Sequence, residues 1–206
     1  MAHNPVVGTG KSIATALASA ASTSFAIESQ YVRLTPVTEG ANVVVSQTVN
    51  KPSAAATDYY IPAGTSETLS MQRYSCKIIG ITSTTAVGAG STYFTQLTCP
   101  EGQQVPFSIG NYVTLKNCNV AGFNTITHAR VTNVDTTAGL DGSFQTKLTV
   151  DADTYSSGTL GTFDEDTDVP GGKGFNDTTL YSSARVAARS DGGAGGLHII
   201  QVQTTG

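Results

Sequence analysis

The chain contains no tryptophan, only two methionines and three histidines, and charged side chains make up 13% of its 206 residues. Such scarcity leaves little with which to run a reaction. The net charge of −4 gives no electrostatic reason to bind nucleic acid, whose backbone demands a basic footprint. No stretch approaches the ~18–20 apolar residues that a membrane span needs. The start, Met-Ala-His-Asn-Pro, lacks a basic region followed by an apolar run, so no secretory signal is expected. Cys76, Cys99 and Cys118 are too far apart for a Cys-x-x-Cys metal or redox motif, and three is an odd number. They read as reduced, mostly buried thiols of a protein assembled in a reducing cytoplasm.

What the chain has in quantity is Thr, Ser, Gly and Val, in short alternating runs separated by polar turns. Residues 143–150, Ser-Phe-Gln-Thr-Lys-Leu-Thr-Val, show the pattern: Phe144, Leu148 and Val150 point one way, Gln145, Lys147 and Thr149 the other. A disordered chain carries more charge and fewer β-branched residues, so a folded all-β protein with long or numerous loops is expected.

Residues 11–22 are alanine-rich, and a short docked helix, an extended arm on a neighbouring subunit and a disordered leader all stay open. From Phe25 the strands begin. Val32 and Leu34 alternate with Arg33 and Thr35, then come Val43-Val44-Val45, Tyr59-Tyr60-Ile61 closed by Pro62-Ala63-Gly64, and a short strand with Leu69 and Met71. Tyr74 to Ile81 is the most apolar segment here and reads as a central strand. Residues 82–90 read as a linker. A second set follows at 93–99, 105–109, 112–115, 123–134 and 144–150, with a Gly/Asp hairpin connection at 135–142. Residues 151–177 form a long acidic, glycine-bearing loop, beyond the ~12–15 residues usual in compact domains. Two strands, 184–189 and 197–202, end the chain. The first half lacks strands to cover its sheets and the tail has them to offer. The expected architecture is therefore an antiparallel β-sandwich or jelly-roll-like domain with a small β-barrel or sandwich domain inserted. Its parts are an N-terminal arm (1–24), a first domain (25–87 with 178–206) and an insertion carrying the acidic loop (88–177).

Chemistry that might hide in this pattern has weak support. Gly8-Thr9-Gly10-Lys11-Ser12 ends like a phosphate loop, but Pro5 stands where the first glycine belongs and no room exists for a preceding strand. His128 reads as a solvent-facing strand position and His198 as an outer or intersheet one; His3 stands alone. Asp164, Glu165, Asp166 and Asp168 alternate like oxygen ligands for a hard cation, yet lack the glycine and closing glutamate of an EF-hand loop. Tyr59 and Tyr60 read as one ring packed inside and one covering an edge. No catalytic, cofactor-binding or metal residue is assigned, and no cofactor is expected.

Two parts of the chain carry a resemblance. One joins Ser-Gln-Tyr-Val-Arg-Leu-Thr from residue 29, Asp-Tyr-Tyr-Ile-Pro-Ala-Gly-Thr from residue 58 and Lys-Ile-Ile-Gly-Ile from residue 77 to the tail segments Ala184–Arg189 and Gly195–Ile199. It resembles a small β-sandwich of virion structural proteins of tailed phages, especially those of marine and cyanobacterial hosts. The other, Phe107-Ser108-Ile109-Gly110-Asn111-Tyr112-Val113 with Gly122-Phe123-Asn124, is similar to a second β module embedded in such proteins. The resemblance implies a non-enzymatic virion component, foremost a capsid decoration or cement protein. It would act on the capsid surface as a homo-oligomer, with the major capsid protein as partner and neither nucleic acid nor membrane involved. A neck, tail or baseplate protein and a receptor- or carbohydrate-binding module are the alternatives.

Overall fold

The computed structural model describes residues 6–17, 20–85, 93–118, 120–136, 144–154 and 178–203. The protein is all-β: among the described residues the one helical element is a 3-10 turn, Ala121–Thr125. The chain falls into two compact units, Met1–Arg73 with Ser183–Gly206, and Tyr74–Ser182.

In the first unit, strands β1 (Val6–Thr15), β2 (Ala21–Ala26), β3 (Tyr31–Pro36), β4 (Ala41–Ser46), β5 (Tyr59–Ile61) and β6 (Glu67–Ser70) come from the first half. The tail supplies residues 183–190 of β13 (Thr179–Ser190) and β14 (Gly195–Val202). One sheet runs β1-β14-β3-β6. In the other, β13 lies between β2 and β4, and β5 flanks β4. Period-two alternation explains the core. Val32 and Leu34 are fully buried, while Tyr31, Arg33 and Thr35 between them are half-buried. Leu34 sits opposite Ile199, and Val43 opposite Ala188. One apolar cluster draws on both sheets, joining Ile13, Val32, Leu34, Leu197 and Ile199 to Phe25, Val43, Ile61 and Val186.

The segment expected as an N-terminal arm belongs to this unit, and the helical reading of 11–22 is overturned. Ile13 pairs with Leu197 and Thr15 with Gly195, both side chains buried. An isolated alanine-rich helix of this length is marginal, whereas an edge strand gains a ladder of bonds to β14 and an apolar site for Ile13.

The second unit contains β7 (Ser75–Lys77), β8 (Gly80–Thr85), β9 (Tyr93–Thr98), β10 (Tyr112–Lys116), β11 (Ala129–Asp135), β12 (Lys147–Val150) and residues 179–182 of β13. Its antiparallel order is β7-β13-β10-β11-β12-β9-β8. The peptides between β7 and β8 look both ways. The Ile78 amide donates to the Thr178 carbonyl at 3.1 Å and the Ile79 amide to the Thr98 carbonyl at 2.8 Å. The core gathers Cys76, Ile78, Leu97, Leu115, Phe123, Val131, Leu148 and Leu180.

The boundary therefore falls at 73/74, not 87/88, and at 182/183, not 177/178. Tyr74–Ile81, expected as a central strand of the first domain, is β7 and the start of β8 and buries Cys76, Ile78 and Ile81 in the second core. Apolar alternation marks such a segment as buried strand but carries no information about which core receives it. Phe144 also departs from expectation. It precedes β12 and is 66% exposed, while Leu148 and Val150 are fully buried.

Candidate functional site

Alternation along β5 brings two aromatic side chains to the surface. Tyr59 pairs with Val43 and Ile61 with Ala41, so both face the core side, and Tyr60 faces outward opposite Asn42. Ile61 is fully buried, but Tyr59 remains 57% exposed. Among the described residues β5 pairs only with β4, and β6 only with β3, so both sheets end here. Between them lies an apolar slot of about 230 Å3 lined by Leu34, Val43, Val45, Tyr59 and Leu69. An open edge offers unpaired backbone groups, and here an aromatic ring and an apolar slot lie beside it. The expected split of the two tyrosines, one inside and one on an edge, is thus corrected, since neither ring is buried.

The absence of a Cβ at Gly40 leaves room for the far end of the Tyr60 ring over the β3–β4 turn. The phenol hydrogen-bonds the Asp191 carboxylate, and this bond, with the negative charge around it, holds its pKa above the ordinary phenol value. The Asp191 amide donates to the Gly40 carbonyl at 3.1 Å, tying the turn to the β13–β14 connection.

In the second unit a cavity of about 810 Å3 is lined by Thr114, Leu115, Lys116, Asn117, Cys118, Asn124 and Thr127. Asn124 acts as an artificial strand partner: its Oδ1 accepts from the Cys118 amide at 3.0 Å and its Nδ2 donates to the Cys118 carbonyl at 2.9 Å. Asn117, in the lining, adopts φ 60, and His128, next in sequence to Thr127, adopts φ 51, both left-handed conformations uncommon outside glycine. His128 is not the solvent-facing strand residue that alternation suggests. It precedes β11, is 4% exposed, stacks on Tyr112 with ring centroids 4.4 Å apart, and its amide donates to Thr114 Oγ1 at 3.0 Å. The positive φ breaks the alternation on which that reading rested.

The cysteines are free and buried. Cys76 and Cys99 place their sulfur atoms 3.8 Å apart within the second core. Either thiol can donate to the other; this contact, then burial, raises the pKa of Cys76, while the contact lowers that of Cys99 against the opposing effect of burial. Cys118 is raised by burial. No spacing rule in the sequence brings Cys76 to Cys99; only the fold does.

Of the remaining residues singled out in the sequence, Lys11 and Ser12 lie in β1 opposite Ile199 and His198, and His198 is exposed. His3, Asp164, Glu165, Asp166 and Asp168 lie outside the described residues. Asp151, at the head of the acidic segment, accepts from the Arg130 amide and fixes the end of β12 against β11. Among the described residues no group of three or more His, Cys, Asp or Glu is placed to hold a metal ion, and no helix is long and apolar enough to cross a membrane.

No family model, curated protein or solved structure matches the chain.

Proposed function

We propose that the chain is a virion structural protein of a tailed phage. In this reading it is a non-enzymatic capsid decoration protein that sits on the capsid surface, grips the major capsid protein and associates with its own copies. The observation that carries the reading is the apolar slot on the open β5/β6 edge, with Tyr59 as the aromatic anchor. Many modest contacts of this kind, summed over symmetric copies, resist internal pressure without any one of them being tight. The finer architecture belongs to the same reading. The first unit is taken as a sandwich whose two sheets share one core, and the second as a small barrel closed where the β7–β8 peptides bond toward both β13 and β9.

The test is cosedimentation with capsids that lack the chain. Wild-type protein is expected to pellet with them. Tyr59→Ser, an exposed position whose loss leaves the core intact, is expected to lower occupancy at least about tenfold. Unchanged occupancy in the variant removes the slot from the mechanism, and no pelleting of wild type removes the capsid reading. Pelleting with necks, tails or baseplates instead moves the protein to that part of the particle.

A second reading is supported by the cavity of the second unit, whose hydroxyl and amide lining suits a carbohydrate. A signal on a broad glycan panel in place of capsid association favours it.

A further inference from the structure

Two of the three thiols meet in the second core, one on the first strand of its order and one beside the last strand but one. Cys76 lies in β7 opposite Leu180 of β13, and Cys99 directly follows β9. Between them the Ile78 and Ile79 amides reach out to opposite neighbours, Thr178 and Thr98. The two sulfur atoms are in contact at 3.8 Å, with Cys76 2% and Cys99 0% exposed. Closing that gap to a bond of about 2.05 Å takes an approach of roughly 1.8 Å, within reach of side-chain rotation and slight strand adjustment. Cys118, by contrast, has its main chain clamped on both sides by Asn124 and its thiol directed to Thr178.

We propose that Cys76 and Cys99 form a redox modification site, at which a peroxide-class oxidant converts the two thiols to an intrachain disulfide tying β7 to the end of β9. The step balances as two thiols and one hydrogen peroxide giving one disulfide and two waters. Cys99, the sulfur of the pair whose pKa the contact lowers, attacks one peroxide oxygen, and its thiol proton leaves with the departing hydroxide. Its S–O bond forms as the O–O bond breaks, giving a sulfenic acid and the first water. The Cys76 sulfur then attacks Cys99, the S–O bond breaks, and the oxygen leaves as the second water with the proton released from Cys76. Burial restricts the site to small oxidants and excludes larger thiol reagents until the core opens. The inference is independent of the proposed function. It replaces the expectation of three reduced, mostly buried thiols with one such thiol and one reactive pair.

The test uses the full wild-type chain. Protein treated with hydrogen peroxide, then unfolded and alkylated with iodoacetamide, is expected to carry one carbamidomethyl group in place of the three of the reduced form. Peptide mapping is expected to place the link between residues 76 and 99, with Cys118 alkylated. The staple closes a loop of 23 residues' separation, so the melting temperature is expected to rise by at least about 5 °C, and dithiothreitol is expected to reverse the rise. Cys118→Ser is expected to form the same link. Three alkylated cysteines after peroxide, a link that includes Cys118, or sulfinic acid in place of a disulfide would each overturn the proposal.

Discussion

Gln201 shows how one polar residue holds a corner of the first unit. It sits on the core side of β14, 6% exposed, in register with Val32. Its Oε1 accepts from the amides of Glu28 at 2.7 Å and Ser29 at 3.1 Å, and its Nε2 donates to the Ala26 carbonyl at 2.8 Å. The turn from β2 to β3 crosses from one sheet to the other, and Gln201 reaches its peptide groups from β14. Gln201→Leu keeps the volume but removes two acceptor contacts and one donor, so unfolding in urea is expected to show a loss of about 3 kcal/mol. Loss of less than half that would mean the turn does not depend on this amide. Nothing in the sequence marks Gln201 for the role, because alternation assigns its position to the core and composition assigns its type to the surface. His128 is the converse: its type and phase suggested an outer face, and a local positive φ turned it inward beside Tyr112.

At the scale of elements, what was legible was the existence of strands rich in β-branched or alternating apolar residues. Segments 32–35, 43–45, 184–189 and 197–202 read correctly as strands; one face is buried and the other half-buried in the first, whereas 184–189 buries Ala187 as well as Ala184, Val186 and Ala188. β1 did not read: Ala14 and Ser12 conceal a strand whose one large core residue is Ile13. That side chain is 5% exposed and faces Leu197, so Ile13→Ala is expected to cost about 3 kcal/mol in urea or thermal unfolding. A neutral result would mean that β1 is a dispensable appendage to β14, as an arm would be. Partner choice was less legible still. The alternation of β7 and β8 announces burial, but only the bonds of Ile78 and Ile79 and the contact of Cys76 with Cys99 reveal which core they complete.

For the molecule as a whole, the sequence reached an all-β chain in which the tail supplies strands to the first half. The candidate surface was half legible, since the Tyr59-Tyr60 pair stood out as aromatic. The slot behind Tyr59 was not, because it depends on two sheets ending at the same side of one unit. The reactive thiol pair was illegible at a separation of 23 residues. The functional account rests on the open β5/β6 edge being an interface in the assembled particle. Cryo-electron microscopy of intact tailed-phage particles carrying the chain tests it most directly. The account predicts density for the chain on the outer capsid surface, with the Tyr59 ring and the slot beside it covered by a neighbouring protein. Particles without the chain, or with that edge facing solvent in every copy, would contradict it.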